Sequence, residues 1–584
     1  MLDFRNVNTL WSSILVATFV KLGLKTAIIC PGSRSTPLTV AFASNCDVET
    51  IPILDERSAA FFALGKAKKT HLPTALVCTS GTAGANFYPA IIEAKESRIP
   101  LILLTADRPQ ELRNCHAGQT IDQIKLYGNY PNWYTELAIS EANMEMLSYL
   151  RQNIIHAWER SLFPSAGVVH LNLPFREPLA PLAQPEVQAR SANFPTEDFF
   201  SHLKFTDFSQ SNYSIKQLPD FDRGQGIIIA GLAEPKDPES YCKAIALIAE
   251  KLNFPVLAEA LSPLRNYAAL NPNLIVTYDL ILRNTNISQQ LKPKIIIQVG
   301  ELPTSKILRQ WLQQLNITRY IIESSSENLD PLHSNTIHLR SSAIAFAHNL
   351  NIKPNNQVND QYLQQWLNLD LQARNAIADK MKPLDLLYEG KVSWLLSQHL
   401  PDQTPLFIAN SMSVRNVEFF WQPNNKKIRP YFSRGANGID GTLSTALGIS
   451  DRNQSSVLLT GDLALLHDTN GFLIKNKFQG HLTIIVINNN GGGIFNMLPI
   501  APFDPPFEEY FVTPQDIDLY QLCTTYGVEH KFIDSWQHLI PLLNSLPTKG
   551  IRVLEIPTNG KADAYWLQTN LREIAENLNL DNRQ

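Results

Sequence analysis

The 584 residues, 44% of them hydrophobic, are enough to fill several independent cores, and the length implies roughly three or four domains. A formal charge of −4, from 54 acidic and 50 basic residues, leaves no excess positive field for nucleic acid or an anionic membrane. Six scattered cysteines without a CxxC pair exclude a disulfide scaffold and fit a reducing, cytoplasmic setting. The opening residues show no secretory pattern and no run reaches about 18 apolar residues, so neither export nor membrane insertion is expected.

Leu10, Ile14 and Phe19 lie at helical spacing, and residues 26–30 read as a short buried strand that stops at Pro31-Gly32. Residues 51–54 form an apolar strand ending in Asp55-Glu56-Arg57, ahead of a helix containing Phe61 and Leu64. Strands at 74–79 and 101–105 flank a helical stretch at 86–94, the alternation that a parallel α/β sheet requires. This first domain covers residues 1–185, and Pro178, Pro181 and Pro185 lead into a linker at 186–223. A second α/β domain, 224–360, takes its strands at 226–230, 255–258, 294–299 and 320–323. A third, 361–584, takes them at 406–409, 456–460, 481–487 and 552–556. The expected fold class is α/β, with three successive domains built on mostly parallel sheets.

The densest chemical signal is Gly461-Asp462-Leu463 after one apolar strand and Asn488-Asn489-Asn490-Gly491-Gly492-Gly493 after the next. Loops at the carboxyl ends of adjacent parallel strands share a crevice, so Asp462 and Asn489 are expected to converge. The Asp462 carboxylate, the Asn489 amide oxygen and a backbone carbonyl at Gly491 are hard ligands suited to Mg²⁺ (or Mn²⁺), which keeps other positions for phosphate oxygens and water. The helix after Asp462 would direct its amino end at that anion. Alone, each piece reads as a capped turn or an ordinary loop. Together they resemble the thiamine-diphosphate motif, Gly-Asp-Gly followed by Asn-Asn, with Leu463 in place of the second glycine. The chain has no GxGxxG, GxxxxGK[ST] or HExxH pattern.

That resemblance implies thiamine diphosphate as cofactor and a glutamate that activates it through the aminopyrimidine ring. Glu56, at a strand end, is the candidate. An acidic first turn also favours a helix dipole, a part that suits Asp55. Pro31-Gly32-Ser33-Arg34-Ser35-Thr36-Pro37, Asp55-Glu56-Arg57, Thr79-Ser80-Gly81-Thr82, Ala106-Asp107-Arg108-Pro109 and the run Ser433-Arg434-Gly435-Ala436-Asn437-Gly438-Ile439-Asp440-Gly441 narrow the likeness. Over nearly the whole chain they resemble the 2-succinyl-5-enolpyruvyl-6-hydroxy-3-cyclohexene-1-carboxylate synthase family, to which the Leu463 variant also belongs.

The resemblance implies decarboxylation of 2-oxoglutarate and 1,4-addition of the succinyl carbanion to isochorismate, a step toward menaquinone or phylloquinone. These substrates carry four carboxylates, which call for fixed guanidinium forks. By resemblance, Ser33, Arg34, Arg108, Gln119 and Lys306 face isochorismate, while Ser411, Arg415 and Arg434 serve the succinyl side, with Arg434 placed to serve either substrate. Any one arginine by itself would read as a surface ion pair. Ser411, Gly461 and Leu463 also touch cofactor, Ile439 resembles the apolar wedge that bends it, and Ile494, Phe495 and Leu498 wall the thiazolium. His116, in a loop, and His467, on the helix after the diphosphate turn, are not needed as bases. A homodimer or homotetramer is expected, with Glu56 of one chain serving cofactor held by another. The rival readings are an acetolactate-synthase-like decarboxylase or carboligase, and a non-catalytic binding protein that retains the fold.

Overall fold

The computed structural model describes residues 2–203, 225–350 and 360–580. The opening helix, Val7–Leu22, shows how the fold is held. Asn6 and Thr9 form a reciprocal capping box and Gly23 ends the helix at φ 116°. Such a cap contributes on the order of 1 kcal/mol. Leu10, Trp11, Ile14, Leu15 and Phe19 are buried, and each contributes about 1.5–3 kcal/mol. Packing therefore outweighs capping.

Eighteen strands are found among the described residues, in three parallel sheets of six. The first contains β1 (Thr26–Ile29), β2 (Glu49–Pro52), β3 (Thr74–Cys78), β4 (Leu101–Asp107), β5 (Trp133–Glu136) and β6 (Val168–Pro174), in the order β2-β1-β3-β4-β6-β5. The second contains β7 (Gly226–Ala230), β8 (Val256–Ala258), β9 (Leu274–Ile275), β10 (Ile295–Val299), β11 (Arg319–Ile322) and β12 (Thr336–Leu339), in the order β12-β11-β10-β7-β8-β9. The third contains β13 (Pro405–Ile408), β14 (Arg429–Phe432), β15 (Ser456–Gly461), β16 (His481–Asn488), β17 (Glu529–Phe532) and β18 (Gly550–Pro557), in the order β14-β13-β15-β16-β18-β17. Counted from its own first strand, the third sheet repeats the order of the first. The second has the order of dinucleotide-binding sheets.

The described residues form two compact units. One holds those up to 203 together with Ser433–Asn453 and Leu466–Gln479, and the other holds the rest. Two pieces of the segment expected as a third domain thus belong to the unit of the first sheet. In that unit Ala27, Ile29, Ala75, Val77, Ile102 and Leu104 share a core with the helices Val7–Leu22 and Met144–Leu162. The stretch expected as a linker carries the short helices Pro185–Gln188 and Thr196–Phe200, because Val187, Phe199 and Phe200 find places in this core.

In the other unit, the mouth of the second sheet is filled by the chain itself. A Cβ on Gly231, after β7, would overlap the Glu301 carbonyl after β10, so the two loops that border the switch point lie in contact. The loops after β7 and β8 are tied to the segment around β14. The Phe432 amide donates to Glu234 at 3.1 Å, the Asn424 amide to the Arg265 carbonyl at 2.7 Å and the Lys427 amide to the Asn266 carbonyl at 3.0 Å. Among the described residues, no helix is long and apolar enough to cross a membrane.

Candidate active site

All the expected site residues except Lys306 lie at or beyond the carboxyl ends of the first four strands of the first or third sheet. The two units are described in turn.

In the unit of the first sheet, a Cβ on Gly32 would overlap Thr79, so the loops after β1 and β3 touch. Ser33 is exposed and Arg34 is buried. Arg34 Nη1 donates to the Phe175 carbonyl at 2.9 Å, and Nη2 lies 3.5 Å from the Glu177 carboxylate. Burial lowers its pKa, and the charge of nearby Arg108 lowers it further. Two guanidinium groups that repel each other favour an anion between them. Arg108 donates to the Gly118 carbonyl at 3.1 Å, and Gln119 to the Ser80 carbonyl at 3.0 Å from a left-handed backbone.

Behind these loops lies a buried polar network that the sequence did not signal. Asp107 accepts from Asn172 at 2.8 Å and pairs with Arg113 at 3.0 Å, while Gln123 joins the Gly81 amide to Asn172. Burial pushes Asp107 above the usual carboxylate range. A cavity of about 590 Å³ opens here, lined by Asp107, Arg113, His116, Asp122 and Gln123 among others.

Glu56 is the first residue of the helix Glu56–Thr70, and Asp55 is its N-cap, accepting from the Ser58 amide at 3.1 Å. The first-turn acid is thus Glu56 itself, and Asp55, expected in that place, caps the helix instead. No described residue hydrogen-bonds the half-buried Glu56 carboxylate, which lies near enough to Cys30 and Cys78 to add to the rise that burial gives both thiols. The turn after β14 belongs to this unit. The Gly435 and Ala436 amides donate to Glu93 at 3.0 and 2.7 Å, next to Arg434. Gly441, at φ 62°, lies where a Cβ would overlap the Phe61 ring. Ile439 is half-buried between them in the chain. Glu56, Arg34, Arg108, Gln119, Arg434 and Ile439 are thus gathered in one unit.

In the other unit, Asp462 is buried at the end of β15 and accepts from the Gly491 amide at 2.8 Å. Burial lifts its pKa to about 6, with Glu555 adding to the effect. Asn489, beyond β16, has a buried Oδ1 without a hydrogen-bond partner among the described residues. A buried carboxylate held up in pKa and an orphaned amide oxygen in one pair of loops fit a divalent cation, which would satisfy both. Gly491, at φ 147°, packs against Val512 and carries the loop around them. Gly461 and Leu463 flank Asp462 and are half-buried. The helix that Asp462 begins, Asp462–Leu466, has only five residues and brings little dipole of its own. His467, expected on that helix, lies in the turn beyond it.

Ser411, directly after β13, has φ 66° and ψ −128°, a costly backbone for a residue with a side chain. Its carbonyl accepts from Arg415 at 2.6 Å. Ile494 and Phe495 occupy the short turn Gly493–Met497, with Phe495 edge-on to Phe511, whereas Leu498 is 45% exposed. Lys306 is exposed at the start of the helix Lys306–Gln313. Its neighbour Thr304 donates to Glu259 at 2.8 Å, Tyr278 donates to the same carboxylate at 3.4 Å, and Arg265 pairs with Glu418 at 2.9 Å. Burial pushes Glu418 up against the pull of Arg265, and Glu259 adds to the rise. Glu418 lies on the helix Met412–Phe420 that carries Arg415, so this buried cluster fixes the mounting of both cations. Its members come from distant loops, and no local pattern announces them.

Residues 11–126 match the N-terminal TPP binding domain of thiamine pyrophosphate enzymes, and residues 200–408 match the middle domain of thiamine pyrophosphate enzymes. The thiamine diphosphate-dependent 4-hydroxybenzoylformate decarboxylase of Rhodococcus jostii RHA1 has the same fold. It superposes with a TM-score of 0.65 at 16% identity, over 94% of this chain and 99% of its own. Strand ends and matched domains together define a thiamine-pyrophosphate enzyme architecture. The 2-succinyl-5-enolpyruvyl-6-hydroxy-3-cyclohexene-1-carboxylate synthase of Gloeothece citriformis (strain PCC 7424) is 62% identical over 98% of this chain and 99% of its own length. Those of Rippkaea orientalis and Trichodesmium erythraeum are each 60% identical over 98% of this chain. The chain belongs to the 2-succinyl-5-enolpyruvyl-6-hydroxy-3-cyclohexene-1-carboxylate synthase family.

Proposed function

We propose that the chain performs the reaction for which its relatives are named, joining the succinyl carbanion left by decarboxylation of 2-oxoglutarate to isochorismate by 1,4-addition. Bound thiamine diphosphate supplies the electron sink for decarboxylation. Asp462, the Asn489 amide oxygen and the Gly491 backbone hold its diphosphate through Mg²⁺ or Mn²⁺, with Gly461 and Leu463 shaping the turn. The observation that carries this reading is the orphaned Asn489 Oδ1 in the loop bonded to buried Asp462.

Glu56 holds a proton at the pyrimidine ring, and the absence of any described hydrogen bond to its carboxylate leaves it available for that work. Arg34 and Arg108, with Ser33, Gln119 and Lys306, bind isochorismate carboxylates by charge-assisted bonds. Arg415 and Arg434, with Ser411, orient the oxoglutarate carboxylate. Ile439, Ile494, Phe495 and Leu498 exclude water from the reacting carbon. The active unit is a homodimer or homotetramer in which Glu56 of one subunit serves cofactor bound by Asp462 and Asn489 of another.

The test incubates purified protein with thiamine diphosphate, Mg²⁺, 2-oxoglutarate and isochorismate and follows the adduct by mass spectrometry. Succinic semialdehyde in place of the adduct, at an equal rate with and without isochorismate, would reduce the chain to a simple decarboxylase.

A further inference from the structure

Three of the residues that flank Glu56 are gripped by one short segment of chain. Asn470 Nδ2 donates to Asp55 Oδ2 at 2.7 Å, Arg57 Nη2 donates to the His467 carbonyl at 2.8 Å, and Ser58 Oγ reaches Asp468 Oδ1 at 3.4 Å. Asp468 is wholly buried, and it also accepts from the Ser444 amide at 2.6 Å and the Ser444 hydroxyl at 2.9 Å. Ser444 opens the helix Thr442–Ser450, whose preceding residue Gly441 packs on the Phe61 ring of the helix led by Glu56. Burial lifts Asp468 to about 6, so it remains a carboxylate at neutral pH and its bonds are charge-assisted. No described residue hydrogen-bonds the Glu56 carboxylate itself.

We propose that residues 467–470 form a positioning clamp for Glu56, with Asp468 as its buried anchor. The clamp holds the first turn of the helix Glu56–Thr70 on both sides of the carboxylate and so limits where the Glu56 side chain can reach. A carboxylate must lie within hydrogen-bond reach of a ring nitrogen to act on it, and misplacement by about 1 Å costs on the order of a hundredfold in rate. Asp468 and Asn470 touch neither substrate nor cofactor in this reading. They act through Glu56, and the inference therefore rests on Glu56 being the activating carboxylate.

The experiment measures exchange of the thiamine diphosphate C2 proton with D₂O by quenched-flow NMR in the reconstituted protein. Calorimetric cofactor affinity and the thermal midpoint are recorded beside it. Asp468→Ala should slow exchange at least about tenfold while cofactor affinity stays within about twofold. Asp468→Asn should restore most of the rate, because its amide can accept from the Ser444 amide while donating to the two hydroxyls. Asn470→Ala changes an exposed residue, keeps the anchor and should slow exchange about threefold, which covers the case in which Asp468→Ala does not fold. Glu56→Gln is the reference arm. An intact exchange rate in that variant overturns the reading of Glu56 and the inference with it. Wild-type exchange in both Asn470→Ala and the folded Asp468 variants, with Glu56→Gln inactive, overturns the clamp alone. A parallel fall of exchange, cofactor affinity and thermal midpoint would show general loosening and would also overturn it.

Discussion

Arg34 and Arg415 are held in different ways, and the difference separates their expected effects. Arg34 is buried between the Phe175 carbonyl and Glu177 at the end of β1, whereas Arg415 braces the strained backbone of Ser411 after β13. Losing a charge-assisted contact to a carboxylate costs about 1.5–3 kcal/mol, or roughly ten- to a hundredfold in kcat/KM. Arg34→Ala should impose that loss on isochorismate and Arg415→Ala on 2-oxoglutarate, as steady-state kinetics with each substrate varied will read. Equal losses on both substrates would sink the division. A second residue-scale expectation concerns Glu389, which is 5% exposed beside buried Asp563. Burial, with Asp563 adding to it, lifts Glu389 to about 8. The native protein then keeps at neutral pH a proton that the unfolded chain has lost, so this contribution to stability declines as pH rises from the ordinary carboxylate range toward about 8. Glu389→Gln should raise the thermal midpoint over wild type at about pH 8.5 and lose that advantage at about pH 5.5. An identical midpoint difference at both pH values would contradict it.

Between elements, the helices Glu56–Thr70 and Thr442–Ser450 pack backbone against backbone. A Cβ on Gly65 would overlap the Thr445 carbonyl, and one on Gly448 would overlap that of Phe62, so the two backbones touch. Gly65→Ala must push the helices apart and should cost about 1–3 kcal/mol, lowering the thermal midpoint together with turnover. An unchanged midpoint would mean the helices separate freely. Strands whose apolar runs are unbroken are legible in the sequence, among them β1, β3, β4, β7, β10, β15 and β16. β5, β9, β12, β14 and β17 carry no such signal, because they lie at or next to sheet edges or are too short for a pattern; β5, β12 and β17 are only partly buried. The interior strand β6 was missed because His170 and Asn172 interrupt its run. Both are buried partners of Thr105. The same logic divides the site. Asp462, Asn489 and Glu56 follow apolar strands and so stand out as candidates in the sequence, while Asp468, Asp107 and Glu418 take their meaning from contacts across tens to hundreds of positions. The segments Ser433–Asn453 and Leu466–Gln479 likewise join the first unit through tertiary contacts that no local spacing records.

At the scale of the whole molecule, the first and third sheets share one strand order and the second has another. The second has the order of a nucleotide-binding sheet, yet the loops at its mouth are occupied by Glu418, Asn424 and Phe432 of the same chain. Flavin or nicotinamide dinucleotides should therefore leave the thermal midpoint unchanged, and a rise with either would show a crevice still open. Shared sites between subunits can be tested by co-expressing Glu56→Gln with Asp462→Ala. Random pairing makes about half of the dimers mixed, and each mixed dimer has one intact site, so about a quarter of wild-type activity should return. No recovery, with mixed dimers confirmed by native mass spectrometry, would assign each site to a single chain. The composition of the first unit also bears on the order of events during synthesis. Ala59, Phe62 and Gly65 emerge from the ribosome early, but the segments that pack with their unit end only at Gln479. At about 5–20 residues per second, the nascent chain waits roughly 20–80 s before the last of these segments has been made. Domain-by-domain folding from the amino end cannot finish here. The turn that carries Glu56 gains its partners His467, Asp468 and Asn470 only late in translation, so a chain truncated before them lacks the contacts that hold that turn.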